Sequence, residues 1–328
     1  MSNRENFKAV LNFVKPERLP VIEWASWWDK TVDNWRKFNP MCPKEKQELF
    51  RFFSLDRHEQ FWISPRGREC PSAVFHGASI IKSYQEYREI KKYLYPQENL
   101  KKLERNLKSV KAAHDSGEIA VWFTLEGFFW FPRTLLGIEN HLYSFYDEPD
   151  LLRNINSDLI RFHKNTFEVI YGVLYPEFMT FAEDMSYNHG SMLSHELFNE
   201  FIKPCYDELV PLIKKNGTKV LIDTDGQVEP LIPWLINCGI EGCLPLERMA
   251  GVDVNRIREN FPRWIMIGGY DKTVIHKGEN AMREEFERLL PTIRSGGFIP
   301  SVDHQTPPDV SEENYRIFVK LLHEYANI

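Results

Sequence analysis

The sequence predicts an α/β protein, a (β/α)8 TIM barrel with an N-terminal, aromatic-rich helical extension, and three observations predict it. Four apolar runs in the last third, 221–226, 242–247, 265–272 and 297–304, each end in polar or glycine residues. Between them lie stretches of helical spacing, such as 254–258 and 282–290, so strand, loop and helix repeat as they do around a parallel sheet. The acids fall at the carboxyl ends of the strands, the face on which barrels build their sites. Asp223, Asp225, Glu247, Asp271, Asp303 and His304 would then share one mouth.

Taken from the N-terminus, apolar side chains at Phe7, Val10, Leu11 and Val14 give helical spacing, and Pro16 and Pro20 close that helix. The run Val21-Ile22-Glu23-Trp24 reads as the first barrel strand. Residues 24–63 are crowded with aromatics, among them Trp27, Trp28, Trp35, Phe52, Phe53, Phe61 and Trp62. Either these pack an N-terminal helical cap, or Trp27 and Trp28, directly after the first strand, line a substrate mouth. Segment 73–84 reads as a small hairpin or excursion, and 99–114 as a charged amphipathic helix. The next strand is 120–127, followed by the aromatic stretch Phe128-Phe129-Trp130-Phe131; 151–173 is a long helix. Strand 178–184 again ends in acids. Ser194 is placed to cap the following helix, and Lys203-Pro204 to kink it.

The 328 residues suit one barrel with loop insertions, and no linker or repeat divides them, so 1–328 reads as a single domain. A formal charge of -6 with both signs mixed along the chain argues against nucleic-acid or anionic-membrane partners. The five cysteines form no CxxC pair, and no run approaches the ~20 apolar residues that span a bilayer. With a polar N-terminus, this points to reduced thiols and a cytoplasmic location.

The chemistry is expected at the strand ends. Glu183-Asp184 and Asp223-Thr224-Asp225 bring carboxylates together, which raises their pKa values and suits acid–base work or a divalent metal; alternatively they cap helices or bind backbone donors. Glu126 ends its own strand in the same way. His304, next to Asp303, is placed to act as an acid–base group or a metal ligand. The reading therefore assigns catalysis to Glu126, Glu183, Asp225 and His304. Substrate binding falls to Trp27, Trp28, Phe128, Asp184, His189 and Asp303, and a divalent metal to Asp223, Asp225 and His304. Cys243 is either a thiolate ligand or a small buried residue. No P-loop, strand-coupled GxGxxG or GxSxG occurs.

Several stretches together resemble the uroporphyrinogen decarboxylase superfamily. They are Arg4-Glu5-Asn6-Phe7, the run from Pro16 to Val21, the run from Leu193 to Pro204, the run from Gly239 to Glu247, and Gly268-Gly269-Tyr270-Asp271-Lys272. The resemblance implies an α/β barrel and either of two chemistries, decarboxylation of a porphyrinogen or methyl transfer involving a corrinoid. Where the decarboxylases carry an arginine pair, this chain has Trp27, Trp28, Asp29 and Lys30; near their tyrosine it has Thr134; their C-terminal histidine matches His304. The thiol-methylating branch carries His-x-Cys-Gly where this chain reads Asp223-Thr224-Asp225-Gly226, which removes the soft zinc ligands. The resemblance thus implies a methyltransferase moving a methyl group from an O- or N-methylated small molecule to a corrinoid (cobalamin) on a partner protein. A divalent metal and a homodimer are compatible with it. Uroporphyrinogen decarboxylase or another lyase of porphyrin metabolism, and a non-catalytic binding relative, are the other readings.

Overall fold

The computed structural model describes residues 1–327. In chain order its strands are β1 (His58–Ile63), β2 (Ala120–Glu126), β3 (Phe178–Ala182), β4 (Ser186–Tyr187), β5 (Gly190–Ser191), β6 (Lys219–Asp223), β7 (Gly242–Leu244), β8 (Ile265–Tyr270) and β9 (Phe298–Val302). Seven of them form one curled, wholly parallel sheet in the order β1-β2-β3-β6-β7-β8-β9, while β4 and β5 make a separate antiparallel hairpin. Every residue of β2, β3, β8 and β9 is buried, because helices cover the outer face of a parallel sheet and its own residues fill the inner one.

The helices between strands carry one apolar stripe each. In Pro149–Tyr171, between β2 and β3, Leu152, Ile155, Leu159, Phe162, Thr166 and Ile170 recur every third or fourth residue and are buried, and Pro149 starts the helix where a missing N–H costs nothing. The expected helix 99–114 is Gln97–Asp115. Ser194 caps the next helix by accepting from the Leu197 amide at 3.3 Å. In place of a simple kink at Lys203-Pro204, a widened turn at Phe198–Ile202 leads into the helix Lys203–Lys214, with Pro204 in its first turn. Among the described residues no helix is long and apolar enough to cross a membrane.

Three expectations are corrected. Segment 21–24 joins no ladder. It is held on one side by the Ser301 hydroxyl donating to the Ile22 carbonyl (2.8 Å) and Trp24 Nε1 donating to the Val302 carbonyl (2.7 Å), both on β9. On the other side the Asp56 amide donates to the Val21 carbonyl (2.8 Å), just before β1. Pro20, which lacks an N–H, and Ser26, at φ 65°, bound a run too short for a ladder. The aromatic stretch 24–63 is not wholly a helical cap: after the helices Asp29–Phe38 and Lys46–Phe52 it ends in β1, whose charged and half-exposed residues hide its strand pattern. Segment 73–84 contains no strand, which leaves the excursion of its two readings; the hairpin lies at 186–191.

Inside the sheet, side chains two apart share a face. Trp122 stacks between His58 and Phe178 at 4.6 and 4.9 Å. One step up, Gln60 donates to Thr124 (2.9 Å), which pairs with Thr180 (2.8 Å). The next step carries Trp62, Glu126, Ala182 and, on β6, Asp223, at the carboxyl ends of the strands.

Candidate functional site

A cavity of about 360 Å³ opens at those carboxyl ends. Trp24, Trp62 and Trp130 wall it, Gln60 forms part of its floor, and Asp184, Asp223, Asp225 and His304 supply its polar side. The acids are brought together by the turn after β6. The Asp223 carbonyl accepts from the Glu183 amide (2.9 Å), the Thr224 amide donates to the Leu244 carbonyl (3.1 Å), and the Ser186 hydroxyl donates to the Asp225 carbonyl (2.6 Å). Gly226 lies at φ 81°, and a Cβ there would come within 2.6 Å of the Tyr187 Cα, so the turn admits only glycine. Its amide donates to Glu247 Oε2 at 3.0 Å, which ties β6 to the loop after β7.

Burial, then repulsion from Asp184 and Glu247, pushes Asp225 up to about 7. Asp223 is raised well above the usual carboxylate range by burial and by Asp225 and Asp184. Asp184, at φ 43°, is raised chiefly by burial, against the hydrogen bond from the Asp225 amide and the Arg133 charge. His304 Nε2 stands 3.8 Å from Asp225 Oδ2, and burial followed by the Lys272 charge lowers its pKa. At neutral pH the pair is therefore a carboxyl that partly keeps its proton beside an imidazole that has lost one.

Asp225, Glu247 and His304 offer two carboxylate oxygens and one imidazole nitrogen that all lie within 4.8 Å of one another. That donor set fits a hard or borderline divalent cation and contains no thiolate. Of the residues expected to hold a metal, Asp225 and His304 lie in this group, with Glu247 as its third member. Nothing in the spacing of one strand could show this, since the two acids come from different strand ends. Cys243 lies within β7 rather than after it, wholly buried, with Trp264 Nε1 donating to its sulfur at 3.1 Å.

Several expected residues lie elsewhere. Glu183 is fully buried and accepts from the amides of Phe128 (2.8 Å), Phe129 (2.7 Å) and Trp130 (3.1 Å) and from the Tyr206 hydroxyl. It holds the loop after β2, the capping alternative for a strand-end acid. Glu126 is on the inner face but buried, 3.6 Å from Arg66, and does not wall the cavity. Asp303 is fully buried and accepts from the amides of Arg248 (2.9 Å) and Lys272 (3.2 Å), so it braces the loops after β7 and β8 instead of facing a substrate. Trp27 belongs to a ring cluster with Trp35, Phe50, Phe53 and Tyr315, and Trp28 is a surface residue ahead of the helix Asp29–Phe38. Phe128 packs on Phe181 and Tyr206, and His189 sits exposed at the hairpin tip. The aromatic wall exists, but Trp24, Trp62 and Trp130 build it. Trp62 was legible only to a reading that recognised β1 as a strand.

The family described as Uroporphyrinogen decarboxylase (URO-D) matches residues 79–325. No curated protein matches the chain. Among solved structures, a methyltransferase from Methanosarcina mazei is 12% identical, covers 99% of both chains and superposes with a TM-score of 0.64, which shows a shared fold. A putative vitamin-B12 independent methionine synthase from Listeria monocytogenes is 11% identical and covers 63% of each chain with a TM-score of 0.39. By the match over residues 79–325, the chain belongs to the uroporphyrinogen decarboxylase family.

Proposed function

We propose that the protein is a methyltransferase that takes a methyl group from an O- or N-methylated small molecule and passes it to a corrinoid held by a partner protein. In this reading 1–328 works as one barrel domain, with 21–24 in the eighth strand place. The observation that carries the proposal is an aromatic cavity ending in the Asp225–His304 pair. Its volume of about 360 Å³ lies at the small end of the range of ~300–1,000 Å³ for ligand sites, which favours a small donor over an octacarboxylate macrocycle. The fold shared with a methyltransferase supports the same choice.

The residues divide the work. Trp24, Trp62 and Trp130 enclose the donor by stacking or cation–π contact and exclude water from it. As the bond between methyl carbon and heteroatom breaks, its electron pair stays on the heteroatom, and Asp225 gives that atom a proton. His304, neutral beside it, orients the carboxyl and returns a proton from solvent. The corrinoid, when bound, supplies the nucleophile that receives the methyl group. Were a divalent cation held by ionised Asp225, Glu247 and His304, it would supply Lewis acidity to the departing atom in place of that proton. Phe75, Tyr187 and Met249, on the segments that follow β1, β3 and β7, are exposed apolar residues suited to a docking protein.

The test is direct. Purified protein incubated with reduced cobalamin and a panel of O- and N-methylated donors is expected to form methylcobalamin, and to leave uroporphyrinogen unchanged. Coproporphyrinogen formed above a no-enzyme control overturns the proposal and restores the decarboxylase.

A further inference from the structure

Beside the aromatic cavity lies a second hollow of about 310 Å³, lined by Arg66, His76, Arg133 and Thr134, and Trp130 forms a wall of both. The two hollows have opposite electrostatic character. On the cavity side, Asp184, Asp223 and Asp225 line the same pocket as three tryptophans, so this side gains from a cation that neutralises its acids. Indole faces bind a methylated ammonium through the ring quadrupole, and a neighbouring carboxylate adds charge attraction. On the other side the Arg133 guanidinium lies 5.2 Å from the Trp130 ring centroid. Its Nη1 donates to the Asp184 carbonyl at 3.0 Å, which fixes the group while leaving its other donors without a partner among the described residues. Arg66 is 3.6 Å from Glu126, a distance beyond a hydrogen bond, so its planar fork is also not saturated. A guanidinium fork is the natural partner of a carboxylate.

We infer that the substrate is a small zwitterion, an N-methylated ammonium carboxylate, seated with its ammonium head against Trp24, Trp62, Trp130 and Asp184 and its carboxylate at Arg133 and Arg66. The inference rests on the methyl-transfer reading and names its donor class. It also explains a feature that the reading alone does not: an acid-rich and an arginine-lined hollow meet at a single tryptophan. An uncharged methoxy donor would neutralise neither side. Heterolysis of the C–N bond in such a donor leaves the electron pair on nitrogen, and the neutral product amine then takes a proton from solvent.

The experiment is a calorimetric titration of the protein alone, without cobalamin, so that binding is read apart from methyl transfer. The probes are short trimethylammonio-carboxylates from trimethylglycine to gamma-butyrobetaine, with choline as the cation lacking a carboxylate and 3,3-dimethylbutyrate as the carboxylate lacking a cation. At least one zwitterion is expected to bind ten times or more tighter than both single-charge probes. Arg133→Met is expected to bring the zwitterion down to the affinity of choline and to leave choline unaffected. Trp62→Ala, on the exposed rim, is expected to weaken zwitterion and choline together. If Arg133→Met fails to fold, as judged by thermal melting, Arg66→Gln carries the same expectation in milder form. Equal affinity for the zwitterions and either control, or no binding by any zwitterion, overturns the inference. Methylcobalamin formation from an uncharged methoxy donor would then leave the methyl-transfer reading standing, whereas zwitterion binding with no methyl transfer would sink that reading alone.

Discussion

Two carboxylates of this chain are pushed up to about 7, and their surroundings give them different work. Glu183 is raised by burial but spends both oxygens on three backbone amides and a tyrosine, and its carboxyl packs so closely on Gly127 that a side chain there would displace it. Asp225 is raised by burial and by neighbouring acids, has no donor side chain satisfying it, and faces the cavity. The sequence shows both as strand-end acids. What separates them is whether backbone donors reach them, which depends on a loop 55 residues away in the chain. Glu183→Ala should strand buried amides and cost roughly 3 kcal/mol or more of stability, read by denaturant unfolding. Asp225→Asn should leave stability near that of the parent while lowering turnover by roughly 10²–10⁴-fold, the range for a lost general acid. Because the useful form of Asp225 is protonated, turnover of the parent should fall as pH rises through about 7, and the variant should lose that limb. A Glu183→Ala protein of unchanged stability would show that its hydrogen bonds do no holding.

At the scale of elements, long runs of buried residues were legible, because strands covered on both faces and helices with one apolar stripe leave a periodic record. That is why 120–127, 178–184 and the last four strands, along with the helices between them, could be placed from sequence. Elements that face two environments were not. In β1, His58 is buried, Trp62 is half-exposed at the mouth and Glu59 is partly covered, so the strand carries no clean alternation. For the same reason the sequence points to Trp27 and Trp28 as the aromatic wall, because they adjoin the expected end of the first strand. The turn after β6 was located but its geometry was not, for positive φ at Gly226 depends on the hairpin that crowds it. Gly226→Ala is therefore expected to shift Asp225 away from His304. The variant should fold with a lowered melting temperature and lose activity out of proportion to that loss; a fully active Gly226→Ala protein would show that the turn can relax without moving the acid.

At the scale of the molecule, one buried carboxyl joins the ends of the chain. Glu23, in the unladdered segment 21–24, accepts from the Tyr315 hydroxyl (2.7 Å) of the helix Glu312–Ala326 and from the Thr306 hydroxyl (3.3 Å) after β9, and its other oxygen has no partner. Burial pushes it up to about 8, against these hydrogen bonds and the Lys46 charge. A carboxyl whose folded pKa lies above its unfolded value near 4.5 binds more protons in the native state between those values, so its contribution to stability is full at low pH and is lost as pH rises towards 8. Buried His141 and His163, lowered to about 3 and about 4, act in the opposite sense, but their effect ends near the unfolded histidine value of about 6.5. The window from about 6.5 to 8 therefore isolates the acids. Glu183, Asp225 and Asp223 contribute there in the same direction, and Glu23 continues to do so towards 8. The parent is expected to lose stability across this window with a slope of at most about 1.4 kcal/mol per pH unit for each group. Glu23→Gln keeps an acceptor for Tyr315 and cannot ionise, so it should lose less between pH 7 and 8 than the parent does. Lys46 is present in both proteins, and its own loss of charge does not explain a difference between them. Parallel stability curves for the two proteins across the window, measured by chemical denaturation, would show that Glu23 is already ionised in the folded state and that the joint between 21–24, β9 and the last helix holds a charge.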